Sequence, residues 1–226
     1  MKAIAHIETD FTTKFGAPRQ SGVIKLAKGK IVFEKEYRDI SAFRGLEDFS
    51  HIWVLWEFSM SKKEKWSPTV RPPLLGGNKK MGVFATRSPY RPNSIGLSAV
   101  KLERMEISKE EGPVLYVSGC DMMDGTPVFD IKPYLPYADS IPEASGGFTE
   151  TLNKRSLDVE FSQELLEKIP MEKQEVVIEV LKNDPRPSYQ KDSSRVYGVE
   201  IAGYEIKFSV ESGRLFVISV EKSNKS

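Results

Sequence analysis

The 226-residue sequence predicts a mainly β protein in which a closed or strongly curved sheet is followed by a small α+β domain. Up to about residue 140, about six short strand-like segments alternate with structured loops and show almost no helical periodicity, which is typical of such a sheet. From about Asn153 the pattern changes to helical spacing followed by three alternating segments, as in a small α+β unit. The composition shift near Ser145–Gly147 predicts domains at residues 1–147 and 148–226.

Composition narrows the function classes. The chain is 39% hydrophobic and 29% charged with a net charge of +1, which is typical of a soluble globular protein. A single cysteine, Cys120, excludes an internal disulfide and a Cys-based zinc site, and two histidines make a His-rich metal site improbable. Composition does not exclude a magnesium ion bound by carboxylates. No apolar run is long enough to span a bilayer, and the N-terminus lacks signal-peptide features, so we expect a cytoplasmic protein without membrane contact or metal.

Alternation of apolar and polar residues defines the strands expected in the first domain. One begins in the N-terminal segment MKAIAHIETD, and His51–Phe58 is a central strand with Trp53 and Trp56 in the core. The stretch from Cys120 to Pro142 is expected to be dominated by loop. The other expected strands are Val23–Leu26 and Ile31–Glu34 with a turn at Lys28–Gly29, then Met81–Thr86, Ile95–Leu102 and Val114–Gly119.

The second domain is expected to begin with one strand and to continue with one or two helices and a three-stranded meander. Gln163–Lys168 and Lys173–Leu181 have helical spacing, and the second helix should end before Asp184 because Pro185 disfavours helical geometry in the residue before it. The expected strands are Leu157–Phe161, Val196–Ile201, Tyr204–Val210 and Leu215–Val220.

The stretch from Pro68 to Ser98 holds five of the 14 prolines, so most of it must be a stiff loop. Between Lys62 and Arg91 eight Lys or Arg residues stand against one acid, Glu64. A local excess of positive charge in a nearly neutral chain indicates an anionic partner, of which nucleic-acid phosphate is the commonest. The alternative is a solvated loop whose charges only maintain solubility.

Common catalytic motifs are missing from the sequence. It contains no GxGxxG, Walker, GxSxG or HExxH pattern, which removes most support for a Rossmann-type cofactor site and for standard phosphoryl or acyl transfer. Cys120 closes an apolar strand and is interpreted as an inert, half-buried thiol. Asp121, Asp124 and Asp130 lie in turn contexts that favour capping or ligand hydrogen bonds over acid–base work. The sequence therefore contains three polar stretches that proline makes stiff, at Pro18–Gln20, Pro68–Ser98 and Asp121–Asp139. Their residue types alone do not define a reaction.

Long blocks of residues carry a family resemblance that covers nearly the whole chain. They are PRQ at 18–20, RGLEDFSHIWVLWEF at 44–58, PTVRPPLLGGN at 68–78, MGVFATRSPYRPNSIGLS at 81–98, DGTPVFDIKPYLPYAD at 124–139 and DPRPSY at 184–189. In these blocks the sequence resembles the TsaA/YaeB-like (TrmO) family.

The resemblance implies an S-adenosylmethionine-dependent methyltransferase built on a single-sheet β-barrel rather than on the Rossmann-like fold. It implies transfer of a methyl group to N6 of threonylcarbamoyladenosine, the base just 3′ of the tRNA anticodon. It also implies a homodimer with the cofactor near the subunit interface. Two alternatives remain at this point: a non-catalytic protein of this fold that binds S-adenosylmethionine or tRNA, and a methyltransferase with a different substrate.

The resemblance also implies roles for individual residues. The cofactor-binding positions are Pro18, Arg19, Gln20, Arg87, Leu97, Asp124, Gly125, Thr126 and Pro127, together with Ser59 and Met60, where the local sequence is less similar to the family. Asp130 and Tyr134 are candidates for the group that accepts the N6 proton. Arg91, Arg186 and Tyr189 are expected to contact the tRNA anticodon loop. The alternative for the last two is that Arg186 pairs with Asp184 or Asp192 while Tyr189 covers the domain junction.

Overall fold

The computed structural model describes residues 1–61, 66–150, 156–186, 192 and 195–223. Six antiparallel strands of the first domain close into a barrel, and two short strands pair with each other outside it. The barrel strands are β1 (Ala5–Thr9), β2 (Lys28–Phe33), β3 (His51–Glu57), β6 (Ile95–Ser108), β7 (Gly112–Ser118) and β8 (Thr126–Pro133), and the short pair is β4 (Thr69–Val70) and β5 (Met81–Gly82). The barrel order is β1-β2-β7-β6-β3-β8, so the expected closed sheet is confirmed.

Alternating side chains fill the barrel interior. In β3, Ile52, Val54 and Trp56 point inward and are buried, while the residues between them are partly exposed. Ile7 and Ile31 occupy the same core from β1 and β2. This period of two is what a sheet with one buried face requires.

Two irregularities let the sheet curve into closure. The 14-residue strand β6 pairs with β3 over Ile95–Lys101 and with β7 over Lys101–Ser108, and its register shifts between Leu102 and Arg104. A second shift lies between Leu55 and Trp56, where β3 meets β8. Such shifts bend the strand and increase its local twist.

Strand direction brings three connections to the same end of the barrel. Strands β1, β3 and β7 end there, and their antiparallel partners β2, β6 and β8 begin there. We call these connections the first loop (residues 10–27), the second loop (residues 58–94) and the third loop (residues 119–125). The polar stretches that the sequence singled out therefore meet largely at one end.

After a short helix α1 (Pro136–Asp139), the second domain forms a four-stranded sheet with two helices, so the expected small α+β unit is confirmed and its three-stranded meander gains a fourth strand. The elements are β9 (Asp158–Glu160), α2 (Gln163–Leu166), α3 (Met171–Lys182), β10 (Tyr197–Ile201), β11 (Tyr204–Glu211) and β12 (Arg214–Lys222), and the sheet order is β10-β11-β12-β9. Helix α3 buries Val177 and Leu181 in the core and ends at Lys182, before Asp184, as predicted.

The first loop belongs to the core of the second domain. Phe11, Ile24 and Ala27 are buried among residues of that domain. The Glu179 carboxylate of α3 accepts hydrogen bonds from the backbone N–H groups of Lys25 (3.1 Å) and Leu26 (3.2 Å). The strand predicted at Val23–Leu26 is therefore wrong, because these backbone donors bind a helix side chain instead of a neighbouring strand.

Other expectations for the barrel also need correction. The stretch expected to be loop contains β8, since Thr126–Pro133 pairs with both β1 and β3. Lys28 and Gly29, expected in a turn, lie in β2, and the strand expected over Met81–Thr86 shortens to β5 followed by a 3₁₀ turn. Trp53 is half-buried on the outer face, where its indole N–H donates to Asp139 Oδ2 at 3.0 Å.

Among the described residues, no helix combines the length and the apolar character needed to cross a membrane. Over the same parts of the chain, no three side chains of His, Cys, Asp or Glu lie close enough together to share a metal ion.

Candidate functional site between the barrel and the second domain

The loop-bearing end of the barrel faces the second domain across a groove of about 3290 Å³. Residues of the first and second loops line this groove, together with residues 145–150, 183–186, 210, 212 and 213. Pockets for small molecules enclose roughly 300–1,000 Å³. The groove therefore has room for a cofactor and for part of a macromolecule.

Positive charge dominates the described lining of the groove. Seven lining residues are cationic and two are acidic: Lys14, Arg19, Arg71, Lys80, Arg87, Arg91 and Arg186 against Glu150 and Asp184. A concave surface lined by one sign of charge concentrates its electrostatic potential and attracts ions of the opposite sign. The groove is suited to an anionic ligand.

The first and second loops meet through Gln20 and Arg87. The Arg87 guanidinium donates from Nη1 to Gln20 Oε1 at 2.7 Å, and Gln20 Nε2 donates to the carbonyl of Arg19 at 2.6 Å. Pro18, just before them, is buried. Four of the residues that the resemblance assigned to the cofactor, at 18–20 and 87, are thus brought together at the groove.

Arg19 connects this cluster to the second domain. Its Nη2 donates to the carbonyls of Arg186 (2.9 Å) and Asp184 (3.3 Å). Nearby, the backbone of Gly16 passes so close to β10 that a Cβ there would lie 2.2 Å from the carbonyl oxygen of Glu200. The first loop is therefore held tightly against the second domain on both sides of Pro18.

Arg186 is paired with Asp184 by two hydrogen bonds. Its Nε donates to Oδ1 at 2.7 Å and its Nη2 donates to Oδ2 at 2.8 Å, and this partner raises the pKa of Arg186 above its ordinary value. The structure thus has the pairing that the sequence left open as the alternative to a tRNA contact. Tyr189 lies outside the described residues, so its role stays a prediction.

The turn at Asp124–Pro127 anchors the start of the first loop. Asp124 Oδ1 accepts from the backbone N–H of Thr9 at 2.9 Å, and the backbone N–H of Asp124 donates to the carbonyl of Phe11 at 2.9 Å. Gly125 donates to the Ile7 carbonyl, and Thr126 is buried in β8. These contacts hold the backbone that carries Pro18–Gln20.

Ser59 and Met60 lie at the beginning of the second loop, beside the first. The Lys14 ammonium group donates to the carbonyl of Met60 (2.8 Å) and to Ser61 Oγ (3.1 Å). Deeper in the second loop, Arg91 donates to the carbonyls of Thr86 (2.7 Å) and Val83 (3.2 Å). Arg91 therefore braces the loop while it lines the groove.

Three predicted site residues lie on the outer surface of the barrel. Leu97 is 53% exposed, and it shares a cross-strand row with Leu55 and Asp130. The Asp130 carboxylate pairs with Lys132 at 2.9 Å. Tyr134 follows the end of β8 that is remote from the three loops, with its ring centroid 5.6 Å from that of Trp53.

A buried polar chain at the loop-bearing end was missed by sequence reasoning. The indole N–H of Trp56 donates to Ser98 Oγ at 2.9 Å, and the Ser98 hydroxyl donates to Asp121 Oδ1 at 2.6 Å. The indole packs so closely on Gly96 that a Cβ there would lie 2.2 Å from the ring. The one signal in the sequence for these hydrogen bonds was an aspartate directly after a buried strand. The partners could not be predicted because they are far apart in sequence.

Burial raises the pKa of Asp121 above its ordinary value. Hydrogen bonds from Ser98 and from the backbone N–H groups of Asp121 and Ser21, and the charge of Arg87, act in the opposite direction. Asp121 thus links the third loop to the first and lies in the field of Arg87. The neighbouring Cys120 thiol is fully buried and not half-buried as expected, and burial raises its pKa, which agrees with the prediction of an inert thiol.

Fold and groove define a two-domain protein in which a non-Rossmann β-barrel presents a cationic interdomain groove. The chain belongs to the tRNA-methyltransferase O family: the model of the family's N-terminal domain matches residues 6–140, and that of the TrmO C-terminal domain matches residues 154–223.

Individual relatives agree with this family. The chain is 39% identical over 226 residues to the tRNA (adenine(37)-N6)-methyltransferase of Escherichia coli, covering 96% of each protein. It is 39% identical over 206 residues to a putative S-adenosylmethionine-dependent methyltransferase, RcsF, of Pseudomonas aeruginosa, covering 88% of this chain and 87% of that protein. A crystal structure of TrmO from Pseudomonas aeruginosa superimposes with a TM-score of 0.77 at 30% identity, covering 97% of this chain and 96% of the other.

We predict that Asp121→Asn changes the pH dependence of stability. Because its pKa is raised in the folded state, wild-type Asp121 contributes stability that is present below its unfolded pKa and lost as pH rises through its folded pKa. Asparagine does not titrate, so the variant lacks this pH dependence. The stability difference, defined as the free energy of unfolding of the variant minus that of wild type, should therefore increase from about pH 3.5 to about pH 7. Urea unfolding at both pH values measures this difference.

Asp39→Asn is the matched control. The pKa of Asp39 is lowered by its hydrogen bonds to Ser41, so its contribution is present above the unfolded pKa and lost as pH falls. The free energy of unfolding of Asp39→Asn minus that of wild type should therefore decrease with rising pH. An Asp121→Asn difference that also decreases would show that the buried carboxyl is stabilised as its anion.

Proposed function

We propose that this protein transfers the methyl group of S-adenosylmethionine to N6 of threonylcarbamoyladenosine, next to the anticodon of tRNA. Family membership and the similarity to the tRNA (adenine(37)-N6)-methyltransferase of Escherichia coli support the reaction. The observation that carries the proposal is the cationic groove, which gathers residues 18–20 and Arg87 and exceeds the size of a small-molecule pocket. A tRNA substrate makes the cytoplasm the expected location.

The residues at the groove suit S-adenosylmethionine. Its carboxylate matches the guanidinium of Arg87, and its hydroxyl and ring nitrogen groups match the amide of Gln20 and exposed loop backbone. The RcsF relative is named as S-adenosylmethionine-dependent. We therefore propose that Pro18, Arg19, Gln20 and Arg87 form the core of the cofactor site, with Asp124–Pro127 fixing the backbone beneath them.

When bound, the cofactor supplies an activated methyl group on a sulfonium. N6 of the target base is a poor nucleophile because its lone pair is shared with the purine ring and an attached carbonyl. The protein therefore contributes mainly by holding the nitrogen in line with the methyl–sulfur bond, and orientation of this kind supplies up to roughly 7–11 kcal/mol. The rigid first loop, bonded to Arg87, Asp121 and the second domain, suits this positioning role.

Methyl transfer to purified tRNA tests the function. With labelled S-adenosylmethionine, we expect incorporation into bulk tRNA that carries threonylcarbamoyladenosine and none into tRNA from cells unable to make that modification. Equal labelling of both pools would indicate a different target base. No labelling of either, despite cofactor binding, would favour the non-catalytic alternative.

We predict that Arg87→Ala weakens cofactor binding. Loss of a charge-assisted hydrogen bond costs about 1.5–3 kcal/mol, which corresponds to roughly a 10- to 150-fold increase in Kd. Isothermal titration calorimetry measures this change, and Arg44→Ala, at an exposed position of the opposite barrel end, is the matched control. Wild-type affinity in Arg87→Ala would remove this arginine from the cofactor site, and a loss of thermal stability alone would assign it to bracing the loop.

We further propose that the enzyme is a homodimer that covers the outer face around Leu97. The resemblance places Leu97 beside the cofactor near a subunit interface, and its side chain is exposed next to Leu55 and Asp130. A second copy there would bring Asp130 into a shared site. Sedimentation velocity should give a dimer for wild type and a monomer for Leu97→Asp, with Ile107→Asp, an exposed apolar residue near the far end of β6, as control. Monomeric wild type with full activity would contradict the proposal.

A further inference from the structure

Two large aromatic side chains are exposed together in the second loop. Trp66 is 49% exposed and Phe84 is 71% exposed. Their ring centroids are 6.0 Å apart and their planes are inclined by 32°. Aromatic rings in contact normally gain by burial, so a contiguous exposed pair indicates a surface that binds a partner.

The surroundings of this pair favour an anionic partner. Both rings line the cationic groove, where Arg71 and Lys80 are also found. The guanidinium carbon of Arg91 lies 5.7 Å from the centroid of Phe84, and its bonds to the carbonyls of Thr86 and Val83 keep it in place. Aromatic faces interleaved with fixed cations are the recognition pattern of single-stranded nucleic acid, in which bases stack and phosphates pair with the cations.

We propose that Trp66 and Phe84 form a stacking platform for unpaired bases of an RNA loop. The two rings already contact each other, so a base stacks on their exposed faces and not between them. Arg91 and the neighbouring cations bind the flanking phosphates. The platform rests on the proposed function, since it assigns bases near the target to a specific part of the groove.

Stacking of this kind requires the faces of the bases to be accessible. In an RNA duplex both faces of each base are covered by neighbours, whereas loop bases can be turned outward onto aromatic side chains. The platform therefore discriminates loop from stem, and it contributes affinity without reading a particular sequence.

Binding of a labelled anticodon stem-loop RNA, and of a duplex of the stem sequence alone, tests the platform by fluorescence anisotropy. Trp66→Ala and Phe84→Ala should each raise the Kd for the stem-loop by roughly 5- to 150-fold, the equivalent of about 1–3 kcal/mol per stacked base. Trp66→Phe should retain most of the affinity because it keeps an aromatic face. Affinity for the duplex should not change.

The salt dependence separates stacking from charge. The slope of log Kd against log salt reports phosphate contacts, so it should stay at the wild-type value in Trp66→Ala and become shallower in Lys80→Ala. Phe216→Ala removes an aromatic that is 37% exposed on the sheet of the second domain, and it should leave stem-loop binding unchanged. Unaltered S-adenosylmethionine affinity in each variant shows that the fold is intact.

Three results would overturn the platform. The first is an unchanged Kd for the stem-loop in both alanine variants, and the second is an equal loss of affinity for the stem-loop and for the duplex. The third is a change of oligomeric state of the alanine variants in sedimentation velocity, which would assign the rings to a subunit contact. If wild type transfers methyl groups to tRNA and the variants bind RNA as wild type does, only the platform is overturned and the proposed function stands. Wild type that neither binds the stem-loop nor methylates tRNA overturns the proposed function as well.

Discussion

The first loop is the constraint on which the site depends, because its two ends continue into barrel strands while its apolar side chains lie in the core of the second domain. It leaves the barrel at Thr9 and returns to it at Lys28, yet Phe11 and Ile24 are buried in the second domain. Burial of side chains of this size contributes about 1.5–3 kcal/mol each. The backbone between them, with Pro18–Gln20, is therefore fixed by its attachment to strands β1 and β2 and by packing in the second domain. Displacing the second domain would move the residues proposed for the cofactor.

The groove follows from this arrangement. The first loop supplies Gln20 as the partner of Arg87, and through Arg19 it fixes the backbone of residues 184 and 186 on the opposite side. The second loop contributes most of the cations together with the exposed aromatic pair. Asp121 fixes the third loop beneath them through Ser98 and Ser21. The second loop thus carries the groups proposed for electrostatic attraction and for stacking, and the first and third loops hold it in position through bonds to Arg87 and, in the strand that follows it, to Ser98.

Local patterns predicted the fold well wherever a segment has one buried and one exposed face. Strand β3 and the three strands β10, β11 and β12 follow their alternation, and α3 ends where Pro185 requires. Prediction was wrong where tertiary contacts supply the hydrogen-bonding partners. Glu179 binds the backbone at Lys25 and Leu26, and two neighbouring strands turn the Pro-containing segment 126–133 into β8. For Trp53, aromatic content suggested the core, but the period of two places it outside.

The sequence by itself determined the barrel class, the small second domain, the cationic second loop and the family, because these depend on composition, short-range periodicity and long motif blocks. Only the tertiary structure decided which residues meet. It joins Gln20 to Arg87, Arg19 to residues 184 and 186, and Ser98 to Asp121, pairs that are 67, 165, 167 and 23 residues apart. It also separates Leu97, Asp130 and Tyr134 from the groove. The physical reason is that strand direction and register, set by closure of the whole barrel, decide which loops share an end and which side chains face outward.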